Sequence, residues 1–148
     1  MPTRLKVYPE LRLVVSRNTG VFTPEDYLGL MLQLLSDPTF KSTFNHLVDC
    51  REITTLGITS RQQRTFGKNT AFSETSKRAF VVSTSMLQSM TGMLMTHREA
   101  LERGAIRIFR EMPEALAWLG LPPGFDAVAN KDLGGDAKTE TSGDGSAT

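Results

Sequence analysis

Short apolar runs alternate with longer amphipathic stretches along most of the chain. The runs at residues 5–8 and 11–16 flank a Pro-Glu pair, which predicts two strands in antiparallel pairing. The following Arg-Asn-Thr-Gly at residues 17–20 predicts a turn. Further strands are predicted at residues 46–50, 79–83 and 105–109. The run AFVVS at residues 79–83 is continuously apolar, which is typical of a strand buried on both faces.

The stretches between these strands carry helix signals. Thr23 can cap a first helix, Pro24 suits its first turn, and two acids follow at the positive end of the helix dipole. Residues 60–70 predict a more polar helix, and residues 85–103 predict a longer one that a capping box opens and Gly104 ends. A short last helix is predicted at residues 113–119. The apolar face predicted for the first helix consists of Tyr27, Leu28, Met31, Leu34 and Leu35.

Strands separated by helices predict βαβ units and an α/β fold. The expected architecture is a single-layer, mixed and largely parallel sheet of about five strands with about four helices. Composition changes after residue 121, and from residue 131 onward Leu133 is the only bulky apolar side chain. Such a segment cannot bury enough apolar surface to offset its ordering entropy. The sequence therefore predicts one folded domain over residues 1–121 and a disordered tail over residues 122–148.

Charge and composition narrow the functional classes. The 148-residue chain has 17 Lys and Arg against 16 Asp and Glu, so its net charge gives no general attraction to nucleic acid or anionic membranes. A single cysteine cannot form an internal disulfide, which fits a reducing compartment. The first residues lack a signal-peptide pattern, and no apolar stretch approaches the ~20 residues that span a bilayer. The expected location is the cytoplasm.

Three segments carry a resemblance to a known family: DPTFKSTFNHLVDCREITTLGIT, KRAFVVSTSMLQSMTGMLMTHREAL and IRIFREMPEALAWLGL. With the order of elements, they resemble the SpoIIAA-like family of small bacterial proteins over residues 5–121. That family is related to STAS domains and is grouped with the CRAL-TRIO lipid-binding fold. The resemblance implies a non-enzymatic regulatory or protein-interaction domain, because STAS relatives include anti-sigma-factor antagonists. The CRAL-TRIO grouping implies an alternative, a small apolar-ligand or lipid-binding module.

The resemblance also implies a candidate loop. In the STAS relatives a central strand ends in Asp, and a loop with a phosphorylated serine follows it. The corresponding partner or phosphoacceptor loop here would contain Asp49, Arg51, Thr54 and Thr55, although the spacing is shorter and the Asp-Ser pair is missing. Asp49 has two open interpretations: it polarises a ligand or partner group at the strand end, or it accepts backbone N–H bonds.

Catalytic chemistry finds little support in the sequence. His46 and Cys50 stand roughly 13 Å apart along one strand, too far for a nucleophile and its base. Cys50 is instead predicted to be a small buried core residue. The chain has no CxxC, paired-His, Gly-rich phosphate-loop or GxSxG motif. We therefore expect no catalytic residue, no metal, no cofactor and no enzyme.

One helix face predicts a wall for an apolar ligand. Methionine side chains are flexible, so they line adaptable binding surfaces as well as filling gaps in a core. The alternative interpretation is packing against the sheet. The predicted cleft residues are Met86, Met90, Met93, Leu94 and His97.

A basic helix face predicts an anion or acidic-partner surface at Arg61, Arg64 and Lys68, and Lys77 and Arg78 follow nearby. A solvated helix face is the alternative. No stacking aromatic side chains are interleaved, so nucleic-acid binding is not expected. The expected partner is another protein or a second copy of the chain, and an apolar small molecule or lipid is the alternative.

Overall fold

The sheet has five strands. A computed structural model of the protein describes residues 3–68 and 70–134. The strands lie in the order of the sequence, and β1 is antiparallel to β2 while every other neighbouring pair is parallel. This arrangement confirms the predicted α/β class and the largely parallel sheet. The strands are β1 Thr3–Tyr8, β2 Leu13–Phe22, β3 Asn45–Leu56, β4 Arg78–Val82 and β5 Ile106–Phe109.

Helices connect and extend this sheet. No helix in the described part of the chain is long and apolar enough to cross a membrane. Short 3-10 turns lie at Pro9–Leu11, Thr84–Met86 and Met95–His97. The α-helices are α1 Pro24–Leu35, α2 Ser60–Lys68, α3 Leu87–Leu94, α4 Arg98–Glu102, α5 Met112–Trp118 and α6 Phe125–Asp132.

The helices cover both faces of the sheet. Consecutive side chains of a strand point to opposite faces, so Leu47 and Val48 of β3 belong to separate core clusters. Leu47 packs with residues of α5 and α6 on what we call the α5–α6 face. Val48 packs with residues of α3, and the same face carries α1 and α4; we call it the α1–α4 face. The parallel strands follow one another in sequence, and the crossovers between them have the same hand. The helices that connect them therefore lie on one face of the sheet.

The start of α1 forms as the sequence predicts. The Asp26 amide donates to Thr23 Oγ1 at 3.2 Å, and the Thr23 amide donates to the Asp26 carboxylate at 2.8 Å. The apolar face differs from the prediction. Leu34 and Met31 are buried, whereas Leu28 and Leu35 point outward. The buried stripe therefore includes Leu30, which the predicted face did not contain, and excludes Leu28 and Leu35.

Two strands are longer than predicted. The residues predicted to form a turn at 17–20 continue β2, which accommodates them with irregularities between Arg17 and Thr19 and between Gly20 and Val21. Gly20 has a φ of 68°, which a bulge can use where another residue would be strained. The extended β2 pairs with an extended β3 as far as Leu56. The predicted loop after Asp49 is thus wrong, because those residues belong to the strand.

The helix predicted at residues 85–103 is interrupted. The Met95–His97 3-10 turn separates α3 from α4, and the His97 backbone leaves the helical region with φ −107° and ψ 46°. The predicted capping box is also absent. The Ser85 hydroxyl lies 3.2 Å from the Ser83 hydroxyl, and no side chain caps the turn at Thr84–Met86.

The folded domain extends beyond residue 121. Phe125, Ala129 and Leu133 of the α6 segment are buried in the core of the α5–α6 face. The Tyr8 hydroxyl donates to Asp132 Oδ2 at 2.7 Å, and the Tyr8 ring meets Phe125 edge-on at 5.3 Å. The prediction of a tail is therefore corrected for residues 122–134, because a polar segment with apolar residues four apart can still dock as a helix. Residues 135–148 of the predicted tail lie outside the described residues.

Candidate functional site

A cavity of about 100 Å³ lies between the α1–α4 face of the sheet and the helices above it. Its floor includes Val48 and Cys50 of β3, and its opposite walls include Met31 of α1 and Phe66 of α2. Most of its lining side chains are apolar. The polar part of the lining consists of Asn18, Tyr27, His46, Gln63, Thr70, Arg78 and His97. The site is thus an apolar space with a small number of polar groups, the usual makeup of a small-molecule site.

The predicted methionine cleft coincides largely with this cavity. Met90, Met93, Leu94 and His97 line it, whereas Met86 is buried in the adjoining core cluster. Met90 and Leu94 are also almost fully buried, so core packing describes part of the same stripe. The helical spacing of these side chains was the sequence signal that located this wall.

Arg78 lines the cavity, and none of the residues that the structure describes provides it with a counter-ion. It is the first residue of β4 and is paired in register with His46 of β3. Among the described residues, no carboxylate forms an ion pair with it, and its buried Nε has no hydrogen-bond partner. Burial, followed by the charge of Arg103, lowers the pKa of Arg78. The guanidinium is therefore partly desolvated and uncompensated.

The charge of Arg78 acts on two histidines, His46 and His97. Burial, followed by the charge of Arg78, lowers the pKa of His46 to about 3. The same two causes lower the pKa of His97. Both imidazoles are therefore neutral near pH 7, and each keeps one N–H donor. The His46 ring stacks on Phe72 with a centroid separation of 4.7 Å.

A hydrogen-bonded Ser–His pair in the core was not predicted from the sequence. Ser16 Oγ and His46 Nε2 lie 2.8 Å apart, the distance expected of a nucleophile and its base. Ser16 is fully buried, however, and it is not among the residues that line the cavity. The register of β2 against β3 creates this contact, and no motif in either strand announces it.

A second, more open cleft of about 410 Å³ adjoins the cavity; we call it the arginine cleft. The two spaces share Thr70, Phe72, Arg78 and His97. The arginine cleft is lined by Arg64, Arg78, Arg98 and Arg103 and by two acids, Glu74 and Glu99. Arg98 pairs with Glu102 at 3.1 Å and Arg103 pairs with Glu74 at 3.8 Å.

Arg61 and Arg64 of the predicted anion surface do not line the same space. Arg64 lines the arginine cleft, whereas Arg61 is exposed and lines neither space. The side chain of Lys68 lies outside what the structure describes. Arg78, which the sequence placed just before a strand, is the one arginine among the described residues that lines both the cleft and the cavity.

The predicted loop residues occupy a different place. Asp49 accepts two bonds from the Arg51 guanidinium, at 3.0 and 2.8 Å, and one from Arg17 Nε at 3.2 Å. Arg51 also reaches Asp126 of α6 at 3.3 Å. We call Arg17, Asp49, Arg51 and Asp126 the Asp49 cluster. It lies on the α5–α6 face, so it is separated from the cavity by the sheet.

The bonds of Asp49 support a structural role. Burial would raise the pKa of Asp49, but the bonds and charge of Arg51, with the charge of Arg17, outweigh burial and hold it below its usual value. The Arg51 amide also donates to Asp49 Oδ1 at 3.1 Å, which is the backbone contact that one interpretation predicted. Thr54 and Thr55 are exposed in β3 and do not join this cluster.

Cys50 is buried, as its residue type predicts. Burial, followed by the charge of Asp49, raises the pKa of the Cys50 thiol, so the reactive thiolate is disfavoured. No group of three or more potential metal ligands comes together within the described part of the chain.

Comparison with protein-family models gives no match, and comparison with curated proteins gives none. Among solved structures, the chain is similar to an uncharacterised protein of the DUF3478 family from Shewanella loihica PV-4, which has a SpoIIAA-like fold. The two sequences are 18% identical, and the match covers 72% of this chain and 83% of the other with a TM-score of 0.49.

Proposed function

We propose that the protein is a binding module whose cavity on the α1–α4 face holds a small, largely apolar molecule. The observation that carries this proposal is the cavity itself: an apolar space whose lining includes a few polar side chains. Such a combination, with perturbed pKa values beside it, is the usual mark of a binding site. The proposal corresponds to the alternative that the sequence offered, the apolar-ligand module.

The size of the cavity limits the ligand. Its volume of about 100 Å³ is somewhat below the ~150 Å³ of an engineered apolar cavity that holds benzene. A short alkyl chain or one ring is therefore the appropriate size for the apolar part. Met31, Met90 and Met93 line the space, and their flexible side chains can widen it at small cost.

Two features support binding rather than catalysis. The Cys50 thiol, which does line the cavity, has a raised pKa and is a poor nucleophile. The Ser16 hydroxyl, which has a histidine beside it, is fully buried and is not among the groups that line the cavity. The nucleophile that faces the cavity thus lacks activation, and the one with a neighbouring base lacks access.

A titration with benzene, followed by amide NMR shifts, tests the proposal. We expect saturable shifts that are confined to residues around the cavity. The variant Cys50→Phe places a ring in the cavity and should abolish these shifts. The matched control Ala117→Phe adds the same ring at an exposed position of α5 and should bind as the wild type does. Equal binding by both variants, or no saturable binding by the wild type, would refute the proposal.

A second candidate function is contact with a protein, including a second copy of the chain. Leu28, Leu32 and Leu35 of α1 are 52%, 66% and 69% exposed, and they form a stripe on the outer side of the helix. Contiguous exposed apolar side chains are typical of interaction surfaces. Sedimentation velocity can test self-association, with the double variant Leu32→Gln and Leu35→Gln as the disrupted form. A wild-type protein that stays monomeric at high concentration would remove self-association.

The phosphoacceptor hypothesis at Thr54 or Thr55 has a separate test. Both hydroxyl-bearing residues are exposed, but their backbone is held in β3 instead of a free loop. Mass spectrometry of protein from its native host should locate a phosphate on one of them if a regulatory switch operates. Protein that never carries phosphate there would remove this candidate.

A further inference from the structure

Building on the proposed function, we infer that the ligand is a small amphipathic carboxylate: its apolar part fills the cavity, and its carboxylate binds the Arg78 guanidinium. The inference names the chemical class of the ligand and assigns Arg78 as its anchoring residue. It rests on the position, the missing counter-ion and the chemical surroundings of this one arginine.

The first step is the missing counter-ion of Arg78. The guanidinium has a buried Nε without a partner, and no described carboxylate pairs with it. A cation taken out of water without a partner is costly. A bound anion would supply both the missing charge and the missing acceptor. The fork of N–H donors on a guanidinium matches the two oxygens of a carboxylate.

The second step is location. Arg78 belongs to the boundary that the apolar cavity and the arginine cleft share. A molecule that occupies the cavity and reaches this boundary meets apolar side chains along its length and a cation at its end. The ligand must therefore be amphipathic, with its polar group at one end. The open cleft beyond Arg78 can admit solvent to that polar group.

The surroundings of Arg78 also indicate the sign and size of the charge that the ligand carries. Arg98 and Arg103 of the arginine cleft already pair with glutamates, and both neighbouring histidines are neutral near pH 7. Arg64 of the arginine cleft has no ion pair among the described residues either, but it is exposed to solvent and does not line the cavity. Among the described arginines, Arg78 alone lines both spaces, and it is uncompensated. One guanidinium matches a singly charged carboxylate better than a doubly charged phosphate monoester, which calls for further cations.

Matched six-carbon probes test the inference by calorimetry. Hexanoate and hexanol share an apolar chain and differ in the head group. We expect the wild type to bind hexanoate at least about tenfold more tightly than hexanol, since hydrogen bonds to charged groups are worth that much. Arg78→Gln should remove this difference by weakening hexanoate alone. The control Arg61→Gln, an exposed arginine outside both spaces, should leave both affinities unchanged.

The outcomes separate this inference from the function on which it rests. If hexanoate and hexanol bind equally well to the wild type, the carboxylate inference is overturned and the apolar binding module stands. If neither probe binds, and benzene does not bind either, the proposed function fails as well. Tighter binding of hexyl phosphate than of hexanoate would overturn the choice of carboxylate. Should Arg78→Gln fail to fold, Arg78→Lys decides: it keeps the charge but loses the fork, so hexanoate should weaken while hexanol does not.

Discussion

The two faces of the sheet differ in whether their arginines have counter-ions among the described residues. On the α5–α6 face, Arg17 and Arg51 surround the Asp49 carboxylate, and Asp126 of α6 completes a balanced cluster. On the α1–α4 face, Arg78 has no described carboxylate within ion-pair distance and retains a buried Nε without a partner. One sheet therefore carries a compensated charge cluster on one side and an uncompensated cation on the other.

This difference separates a structural role from a binding role. A compensated cluster links elements of the fold, and here it ties β2 and β3 to α6. An uncompensated cation beside an apolar cavity stabilises nothing in the free protein, but it can hold an anion that arrives with a ligand. If this distinction is right, changes to the Asp49 cluster should cost stability, whereas changes to Arg78 should cost affinity.

Removal of α6 should have the largest effect on stability. A chain that ends at residue 121 loses Phe125, Ala129 and Leu133 from the core and leaves the Asp49 cluster without Asp126. Truncating a buried Phe alone typically costs about 3–5 kcal/mol, so we expect a shorter chain that is largely unfolded. Circular dichroism during urea titration measures the loss.

The matched control for this truncation is a chain that ends at residue 134. It keeps α6 and removes only the part of the predicted tail that lies outside the described residues. We expect its urea midpoint to equal that of the full chain. A cooperative unfolding transition of full strength in the chain of residues 1–121 would contradict the role assigned to α6.

Replacing Asp49 should have the next largest effect. In Asp49→Ala, Arg17 stays buried, loses Asp49 at 3.2 Å and keeps only the 4.0 Å contact with Asp126, which Arg51 shares at 3.3 Å. Breaking a buried ion pair by removing one partner typically costs about 3–5 kcal/mol, and we expect a value near the lower end because Arg51 is partly exposed. Chemical denaturation measures this free energy of unfolding.

A double variant controls for the charge itself. Adding Arg17→Met to Asp49→Ala removes the stranded cation and should recover part of the lost stability. A single variant as stable as the wild type would mean that the Asp49 cluster does not tie the fold together.

Local sequence signals predicted the elements that local physics determines. The Thr23 cap, the apolar strand in β4 and the spacing of Met90 and Met93 act within a few residues, and each appears in the structure. The lengths of β2 and β3 depend on their mutual pairing, which a single strand does not reveal. The residues at 17–20 favour a turn by themselves, yet the neighbouring strand draws them into a bulged ladder.

In the candidate site, too, the sequence predicted only the features that local spacing determines. The methionine stripe follows from helical spacing, so the sequence located one wall of the cavity. The missing counter-ion of Arg78 cannot be read from local spacing. An arginine at the start of a strand is unusual only when no acid lies near it in the folded chain. That lack is a property of several distant elements at once. Asp49 shows the converse, since Arg17 reaches it only through the register of β2 and β3.

The pH dependence of stability should distinguish the two faces. Burial lowers the pKa of His46 to about 3, whereas an unfolded chain has a histidine pKa of about 6.5. Between these values the unfolded state binds more protons, so stability should fall as the pH is lowered from about 6.5, by up to about 1.4 kcal/mol per pH unit. Asp49 has a lowered pKa, so its contribution is complete above about pH 4 and is lost only below that value.

Urea denaturation from pH 7 to pH 4 measures the pH dependence that comes from the histidines separately from that of Asp49. In His46→Gln the slope should become much shallower, with a residual part from His97, whose pKa is also lowered. The Asp49→Ala variant should keep the wild-type slope over this range. A slope that disappears in the Asp49 variant and persists in the His46 variant would reverse the assignment of the two windows.

Substitution of Arg78 should change stability less than substitution of the compensated arginines. Arg78→Gln removes an uncompensated, half-buried cation whose desolvation is unfavourable, so it should lower the free energy of unfolding by no more than about 0.5 kcal/mol and can raise it. Arg17→Gln, the matched change on the α5–α6 face, removes a partner of buried Asp49 and should cost several times more. Thermal unfolding of the two variants side by side decides the matter. Equal losses would mean that Arg78 stabilises the free protein as the compensated arginines do, and the contrast between the two faces would not hold.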